Sequence, residues 1–443
     1  MQLESGLDLQ AGRTELTGTL RYGVETGIVS HLSHRSVQLF QQLSSQWHRF
    51  LQLSSALPTA LTPVSVAKGA AASGPKRDAP AAALPVQGLQ SEAGPTTVSD
   101  SDLQALVRKV IQREGLIAFK SLEQEIALRA ILAGETPLVV VLPTGGGKSL
   151  LFMAPACLPD PGVTIVVVPF RELLRDLKRR LAEAKIPATE WVAGRTTNGP
   201  AAVVVVSADT AGELEFLTYA TVLSQGGWLR RIVVDECHLT YTSYDWRPRL
   251  AHLSRLRSIP AQFILLTATQ PPLLEYELGE VMRLRSPRYI RASTTRLNIR
   301  YLVQRCQPGA LVKEAEAIAR RWLAQLSGKD KAIIFCRYRN QCNLLGGRLD
   351  CPFFHAGMEA DDRSQALKTW LQSGGLIVAT SSLGTGIDYP GIVRVLHVDA
   401  PYGMIDFAQE SGRAGRGGEL VDSVILIEQP RQAMPLVTEL VDH

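Results

Sequence analysis

Two short stretches of the chain carry residue types suited to nucleotide chemistry. The first is "PTGGGKS", residues 143–149, directly after the apolar run "PLVVVL". A glycine turn between a buried strand and a helix aims backbone N–H groups at a phosphate, aided by the positive end of the helix. Thr144, Gly145, Gly146 and Gly147 form that turn. Lys148 is placed to reach β- and γ-phosphates, and the Ser149 hydroxyl is a Mg²⁺ ligand type. The general spacing G-x-x-x-x-G-K-[ST] asks for glycine at position 142, where this chain has Leu142. A bare glycine turn ahead of a helix would not need Lys-Ser directly after it.

The second stretch is "VVDECH", residues 233–238. An apolar strand that ends in two acids puts Asp235 at the carboxyl edge of a sheet, where open α/β folds bind nucleotides. Asp235 is then a Mg²⁺ ligand and Glu236 a group that polarises an attacking water. Cys237 and His238 are also zinc-ligand types, but no second ligand pair lies nearby. The sequence runs on as "LTYTSYDWRP", with Tyr241, Tyr244, Trp246 and Arg247 close together. Such rings either stack on the bases of a single strand, at about 1–3 kcal/mol each, or pack against their own domain.

Both stretches need strands to hold them, and the chain supplies two series of β-branched runs. The first is "PLVVVL", "TIVVVPF", "AAVVVVS", "RIVVDE" and "FILLTAT"; the second is "KAIIFC", "LIVATSS", "VRVLHVD" and "SVILIE". Apolar runs without polar alternation suit strands buried on both faces of a parallel sheet. Helical segments such as "RELLRDLKRRLAEA" and "ADDRSQALKTWLQS" lie between them. Strand–helix alternation predicts an α/β architecture with two domains in tandem. The boundaries read as residues 101–293 for the first domain and 294–443 for the second. Ahead of them, residues 1–53 include "SVQLFQQLSSQWHRFLQL", with helical spacing. Residues 54–100 are rich in Ala, Pro, Ser and Gly and read as a disordered linker.

Bulk properties narrow the class. Of the 443 residues, 45% are hydrophobic and 20% charged, as in globular proteins. The first hundred residues balance seven basic against seven acidic side chains, so the net charge of +5 arises downstream and allows a polyanionic partner. The six cysteines form no C-x-x-C pair and read as reduced thiols of an intracellular protein. No apolar run approaches the ~20 residues that span a bilayer, and "MQLESGLDLQ" lacks a secretory pattern.

Taken together, "PTGGGKS", "DECH" and "LTAT" resemble the first-domain motifs of superfamily 2 helicases. There a Leu-Pro-Thr lead-in takes the place of the first glycine, which accounts for Leu142. "FFHAGM", "ATSSLGTGIDYP" and "QESGRAGRGG" are similar to RecQ-family helicases. The likeness spans roughly residues 115 to 420. The N-terminal segment, linker and brief core also resemble the RecQ-like telomere-linked helicases of fungi.

The resemblance implies two RecA-like P-loop NTPase domains with ATP and Mg²⁺ between them. It assigns adenine reading to Gln124 of "FKSLEQEI", with Glu123 as the rival position; unaided, Gln124 reads as a helix-surface residue. His238, Thr267 and Thr269 would relay nucleotide state. Gly386 and Asp388 would line the cleft and the nucleic-acid path. Gln409 would contact the nucleotide or its water, and Arg413 and Arg416 would be trans-cleft arginines, against the plainer reading of a solvated basic loop. The implied activity is ATP-dependent 3′-to-5′ movement on single-stranded and forked DNA in the nucleus, with no membrane. Only about 25 cysteine-free residues follow "GRGG", so the four-cysteine zinc site common in the family is not expected. Two alternatives stand beside it: an ATP-driven translocase that does not unwind alone, and a non-catalytic nucleic-acid-binding remnant of a subtelomeric or mobile element.

Overall fold

The structure, a computed structural model, describes residues 98–194, 201–243, 247–383 and 389–429. The expected N-terminal segment, most of the linker, Tyr244, Trp246, Gly386 and Asp388 lie outside the described residues. Ser99 caps the first helix by accepting the Asp102 N–H at 3.1 Å.

Among the described residues the strands form two all-parallel sheets. The first has the order β3-β4-β2-β5-β6-β1-β7. Its strands are β1 (Leu138–Val141), β2 (Val163–Val168), β3 (Ala188–Glu190), β4 (Val203–Ser207), β5 (Leu229–Val234), β6 (Gln262–Thr267) and β7 (Arg288–Arg291). The helices around it are α1 (Asp100–Ile111), α2 (Leu122–Leu132), α3 (Leu150–Met153), α4 (Arg171–Glu183), α5 (Ala208–Ala211), α6 (Leu214–Gln225), α7 (Leu239–Thr242) and α8 (Glu275–Val281).

The second sheet has the order β10-β11-β9-β12-β13-β8. It comprises β8 (Ile299–Cys306), β9 (Lys331–Cys336), β10 (Phe353–Phe354), β11 (Gly375–Ala379), β12 (Ile392–Val398) and β13 (Val421–Glu428). Its helices are α9 (Leu311–Leu323), α10 (Arg339–Leu349), α11 (Ala360–Ser373) and α12 (Met404–Ser411). The chain passes from the first sheet to the second between Arg291 and Ile299.

Strand pleating gives each sheet apolar packing on both faces. Leu138 and Val140 of β1 pack with Leu103, Leu128 and Leu181, whereas Val139 and Val141 face Phe216 and Leu250 on the other side. In the second sheet Ile334 joins Ile318 and Leu345, while Ile333 and Phe335 join Trp370. Each such aliphatic side chain contributes roughly 1.5–3 kcal/mol by leaving water. Leu142 continues β1 into this core with no exposed surface, a physical reason for leucine where the general phosphate loop has glycine. Among the described residues no helix is long and apolar enough to cross a membrane.

All four strands that the β-branched runs do not announce are sheet edges: β3 and β7 in the first sheet, β10 and β8 in the second. Strand β8, "IRYLVQRC", is buried only at its two ends. An edge strand keeps one side open, so it tolerates polar residues that a central strand excludes.

Candidate active site between the two domains

The phosphate turn leaves β1 and closes on itself before α3. Gly146 N–H donates to the Pro143 carbonyl at 2.8 Å, and Leu150 N–H to the Gly147 carbonyl at 3.1 Å. Gly147 has φ +79°, and a Cβ there would lie 2.2 Å from Gln124 Nε2, so only glycine fits. Ser149 makes no side-chain cap bond to the backbone, and the residue lines the cleft.

Behind the turn, Gln124 is buried, a correction to its plain reading as a helix-surface residue. Its Oε1 accepts the Lys120 N–H at 2.8 Å and its Nε2 donates to the Gly147 carbonyl at 3.1 Å. Ser121 caps α2 and sets this geometry by accepting the Gln124 N–H at 3.1 Å. Lys120 adds a second tie, donating from Nζ to the Gly145 carbonyl at 2.7 Å.

Asp235 and Glu236 follow β5 at the same sheet edge. The Asp235 Oδ1 accepts the Glu236 N–H at 3.0 Å. Glu236 adopts φ +49°, a left-handed conformation that costs about 1–3 kcal/mol in a non-glycine residue. Its Oε2 is buried and accepts no hydrogen bond, although His238 Nδ1 lies 3.4 Å away. Burial, and next the charge of Glu236, push the Asp235 carboxyl up to about 7, while Lys148 opposes the shift.

Lys148, Ser149, Asp235, Glu236, Gln409, Arg413 and Arg416 all line one cleft of about 200 Å³. Lys120, Phe170 and Arg180 line it as well, and sequence reasoning missed them. Arg180 projects from α4, whose amphipathic pattern reads as an ordinary surface helix. Cationic groups opposite two acids and a hydroxyl are the donor set for a nucleotide phosphate chain with a bridging Mg²⁺, which binds few protein ligands and keeps phosphate oxygens. The unbonded Glu236 oxygen fits that use.

His238 joins the two domains. It is fully buried, and burial lowers its pKa to about 4, so the ring is neutral. Gln409 Nε2 lies 2.6 Å from His238 Nε2 and donates to Thr269 Oγ1 at 3.1 Å. With Gln409 donating, ring Nε2 is the acceptor, and Nδ1 carries the proton toward Thr267 Oγ1 at 2.8 Å. Thr267 Oγ1 also accepts the Thr269 N–H at 3.0 Å. The "DECH", "LTAT" and "QES" residues thus share one hydrogen-bond network. Cys237 sits in the apolar core.

Two further networks set the trans-cleft arginines. Helix α12 is fixed from behind by His397, whose Nδ1 lies 3.0 Å from Glu410 Oε2 and whose Nε2 lies 3.3 Å from Ser411 Oγ. The turn after it is held by the interdomain segment. Arg296 Nη2 donates to the carbonyls of Ala414 and Gly415 at 3.0 and 2.7 Å. Asn298 Nδ2 donates to those of Gly415 and Glu419, both at 2.8 Å. Gly415 has φ +64°, and a Cβ there would stand 2.4 Å from Asn298 Nδ2. Arg413 is buried, and burial, then Arg416, lower its pKa to about 10, so it stays charged at neutral pH.

The expected nucleic-acid residues divide. The Tyr241 ring packs on the core of the first domain and its hydroxyl donates to Gln270 Oε1 at 2.8 Å, the packing alternative rather than a ring presented to bases. Arg247 is turned inward: Nη2 donates to Asp209 Oδ2 at 2.8 Å and to the Pro169 carbonyl at 2.7 Å, with the guanidinium over the Phe170 ring. Phe170 itself lines the cleft.

This fold and cleft define a superfamily 2 helicase core. Residues 121–275 match the DEAD/DEAH box helicase family and residues 314–418 the helicase conserved C-terminal domain. Similar solved folds include the DUF1998 helicase MrfA bound to DNA and AMPPNP, with TM-score 0.60 and 18% identity over 76% of this chain and 51% of that one. Dbp5 of S. cerevisiae, bound to RNA and ADP BeF3, gives TM-score 0.55 and 16% identity over 75% of this chain and 88% of that one.

Sequence relatives narrow the class. The RecQ-like DNA helicase BLM of Xenopus laevis is 31% identical over 69% of this chain and 24% of its own length. The putative ATP-dependent DNA helicase Q1 of Caenorhabditis briggsae is 33% identical over 67% of this chain and 51% of its own. ATP-dependent helicase SGS1 of Saccharomyces cerevisiae is 30% identical over 66% and 21%. The chain belongs to the RecQ-like helicases. It spans between 21% and 51% of the length of these curated relatives.

Proposed function

We propose that this chain is the ATP-driven motor of a RecQ-type DNA helicase, moving 3′ to 5′ on single-stranded or forked DNA in the nucleus. The observation that supports this best is the Gln409–His238 contact, which ties the acid pair of one domain to the arginine helix of the other. Bound Mg-ATP supplies a phosphoanhydride whose hydrolysis drives the cycle. Lys148 and the glycine turn hold the phosphates, and Ser149 with Asp235 would hold Mg²⁺. Glu236 orients and deprotonates the attacking water. Arg413 and Arg416 stabilise charge that builds on the transferred phosphoryl, an effect worth about 10³-fold or more. Gln124 and Thr144 belong to the nucleotide side of this reading.

Loss of the γ-phosphate removes the ligand that both domains grip, so the cleft reopens. His238, Thr267, Thr269 and Gln409 carry that change toward the DNA face. The family resemblance assigns Tyr244, Trp246, Gly386 and Asp388 to that face, while Tyr241 and Arg247 bond within the first domain. ATP turnover with and without single-stranded DNA, paired with unwinding of forks bearing 3′ or 5′ tails, tests the proposal. Stimulated hydrolysis without strand separation makes the chain a translocase. No turnover by folded protein overturns the motor altogether and leaves a binding remnant.

A further inference from the structure

One arginine of the first domain stands where the cleft meets a second cavity. That cavity, of about 400 Å³, has largely apolar walls, among them Val107 and Ile111 of α1, Phe119, and Met153 of α3. Lys120, Gly147, Ser149 and Arg180 line both spaces, so they mark the passage between them. Lys148, Arg413 and Arg416 line the cleft alone. A nucleoside joined to phosphates in the cleft needs an apolar space beside it, and this cavity supplies one.

Arg180 lies near the end of α4, two turns beyond Leu173, which lines the cleft on the same helix face. Its Nη2 meets Asp176 Oδ2 at 2.6 Å, one turn back along the helix, which fixes the guanidinium. Asp176 is shared, since its Oδ1 meets Arg179 Nη2 at 2.6 Å, and Arg179 Nη1 meets Glu183 Oε1 at 2.5 Å. Glu183 is the acid among the described residues that line the cavity, where Lys120 and Arg180 are the cations. The Lys120 ammonium is turned to the Gly145 carbonyl at 2.7 Å. The Arg180 side chain is 35% exposed, and one contact at Nη2 leaves further N–H donors for a ligand. Its charge also reaches into the cleft. Burial, then Glu236, push the Asp235 carboxyl up to about 7, and among the opposing cations Lys148 leads and Arg180 follows.

The outer phosphates of a nucleotide are served by Lys148 and, from the other domain, by Arg413 and Arg416. The innermost phosphate, bonded to the sugar, falls where the cleft opens into the cavity. We infer that Arg180 binds the α-phosphate of the nucleotide, with Asp176 as its positioning residue. This rests on the ATP-motor reading and gives α4 a part in it. Hydrolysis breaks the bond between the γ-phosphorus and the bridging oxygen, so charge shifts over the β- and γ-phosphates and leaves the α-phosphate as it was. A contact there is equally strong in the ground and transition states. It therefore sets nucleotide affinity and not the rate of the bound complex.

The test is the kinetics and nucleotide binding of Arg180→Gln. The KM for ATP should rise about tenfold, the scale of one charge-assisted hydrogen bond, while kcat changes far less. In calorimetric titration Mg-ADP loses the same factor, whereas pyrophosphate, which fills the outer positions alone, binds as it does to the wild type. 2′-Deoxy-ATP loses as much as ATP, because the contact is to phosphate and not to the sugar. Arg180→Lys, which keeps a cation, recovers part of the loss. Thermal midpoints of both variants stay at the wild-type value. Unchanged KM and ADP affinity, an equal loss for pyrophosphate, a loss that 2′-deoxy-ATP escapes, or a fall in kcat at constant KM overturns the assignment. Wild-type protein that binds no Mg-ADP overturns the motor reading instead.

Discussion

The side-chain nitrogen of Gln409 lies 2.6 Å from His238 Nε2, a contact across the interdomain cleft between residues far apart in the chain. Because His238 also meets Thr267, and Gln409 also meets Thr269, one glutamine bonds to both the "DECH" and the "LTAT" stretch of the first domain. Its position depends on α12, which depends in turn on His397 and Glu410. The site is therefore a chain of supports.

Replacing Gln409 by Ala leaves the buried His238 Nε2 without its partner, a deficit of about 1–3 kcal/mol. The DNA stimulation of hydrolysis should fall by roughly tenfold or more, and by a larger factor than hydrolysis without DNA. Turnover measured with and without single-stranded DNA checks this. Equal losses under both conditions would remove the coupling role.

Lys148→Ala should abolish turnover while single-stranded DNA affinity holds, because Lys148 lines the nucleotide cleft. Steady-state hydrolysis and oligonucleotide anisotropy on the same preparation decide it. A parallel loss of DNA affinity would argue for misfolding.

Asn298→Ala removes the donor to two carbonyls of the arginine turn. Turnover should drop about tenfold, with the KM for ATP moving less. In the Arg416→Ala background the same change should cost little more, since both act on one feature. Additive losses would mean that Asn298 only stabilises the fold.

The glycines of the phosphate turn should differ. Gly145 has φ +80° and open space within 4 Å of where a Cβ would stand, whereas at Gly147 that Cβ meets Gln124 Nε2 at 2.2 Å. Gly145→Ala then costs about 1–2 kcal/mol of backbone strain. Gly147→Ala adds a clash with a side chain held at both ends, and nucleotide binding should be lost. Titration with a fluorescent ATP analogue distinguishes the two.

Glu410→Ala should destabilise the second domain by about 1–3 kcal/mol, because it leaves the buried His397 Nδ1 unbonded. A urea titration followed by the fluorescence of Trp322 and Trp370, both buried in that domain, reports it. Unchanged stability would show that another group replaces the carboxylate.

Much of this was legible in "DECHLTYTSYDWRP" and its fellow motifs. The central strands announced themselves because burial on both faces excludes polar side chains, and the acids and glycines follow directly at the carboxyl ends of two of them. The four edge strands did not, since one open side relaxes that constraint. Gln124 was readable as a candidate, but its hold on Gly147 follows from how α2 packs behind the turn. Within "DECHLTYTSYDWRP", Tyr241 and Arg247 look alike as DNA contacts in one dimension, and the packing turns both inward.

The sequence by itself determined the chemistry: which side chains can hold phosphate and Mg²⁺, and that two strand–helix series must carry them. Tertiary structure alone decided the partnerships. Arg296 and Asn298 have no motif-like signal, yet they hold a turn well over a hundred residues away. Spacing rules describe neighbours along a strand or helix, and hydrogen bonds between distant segments form only when packing brings them within about 3 Å.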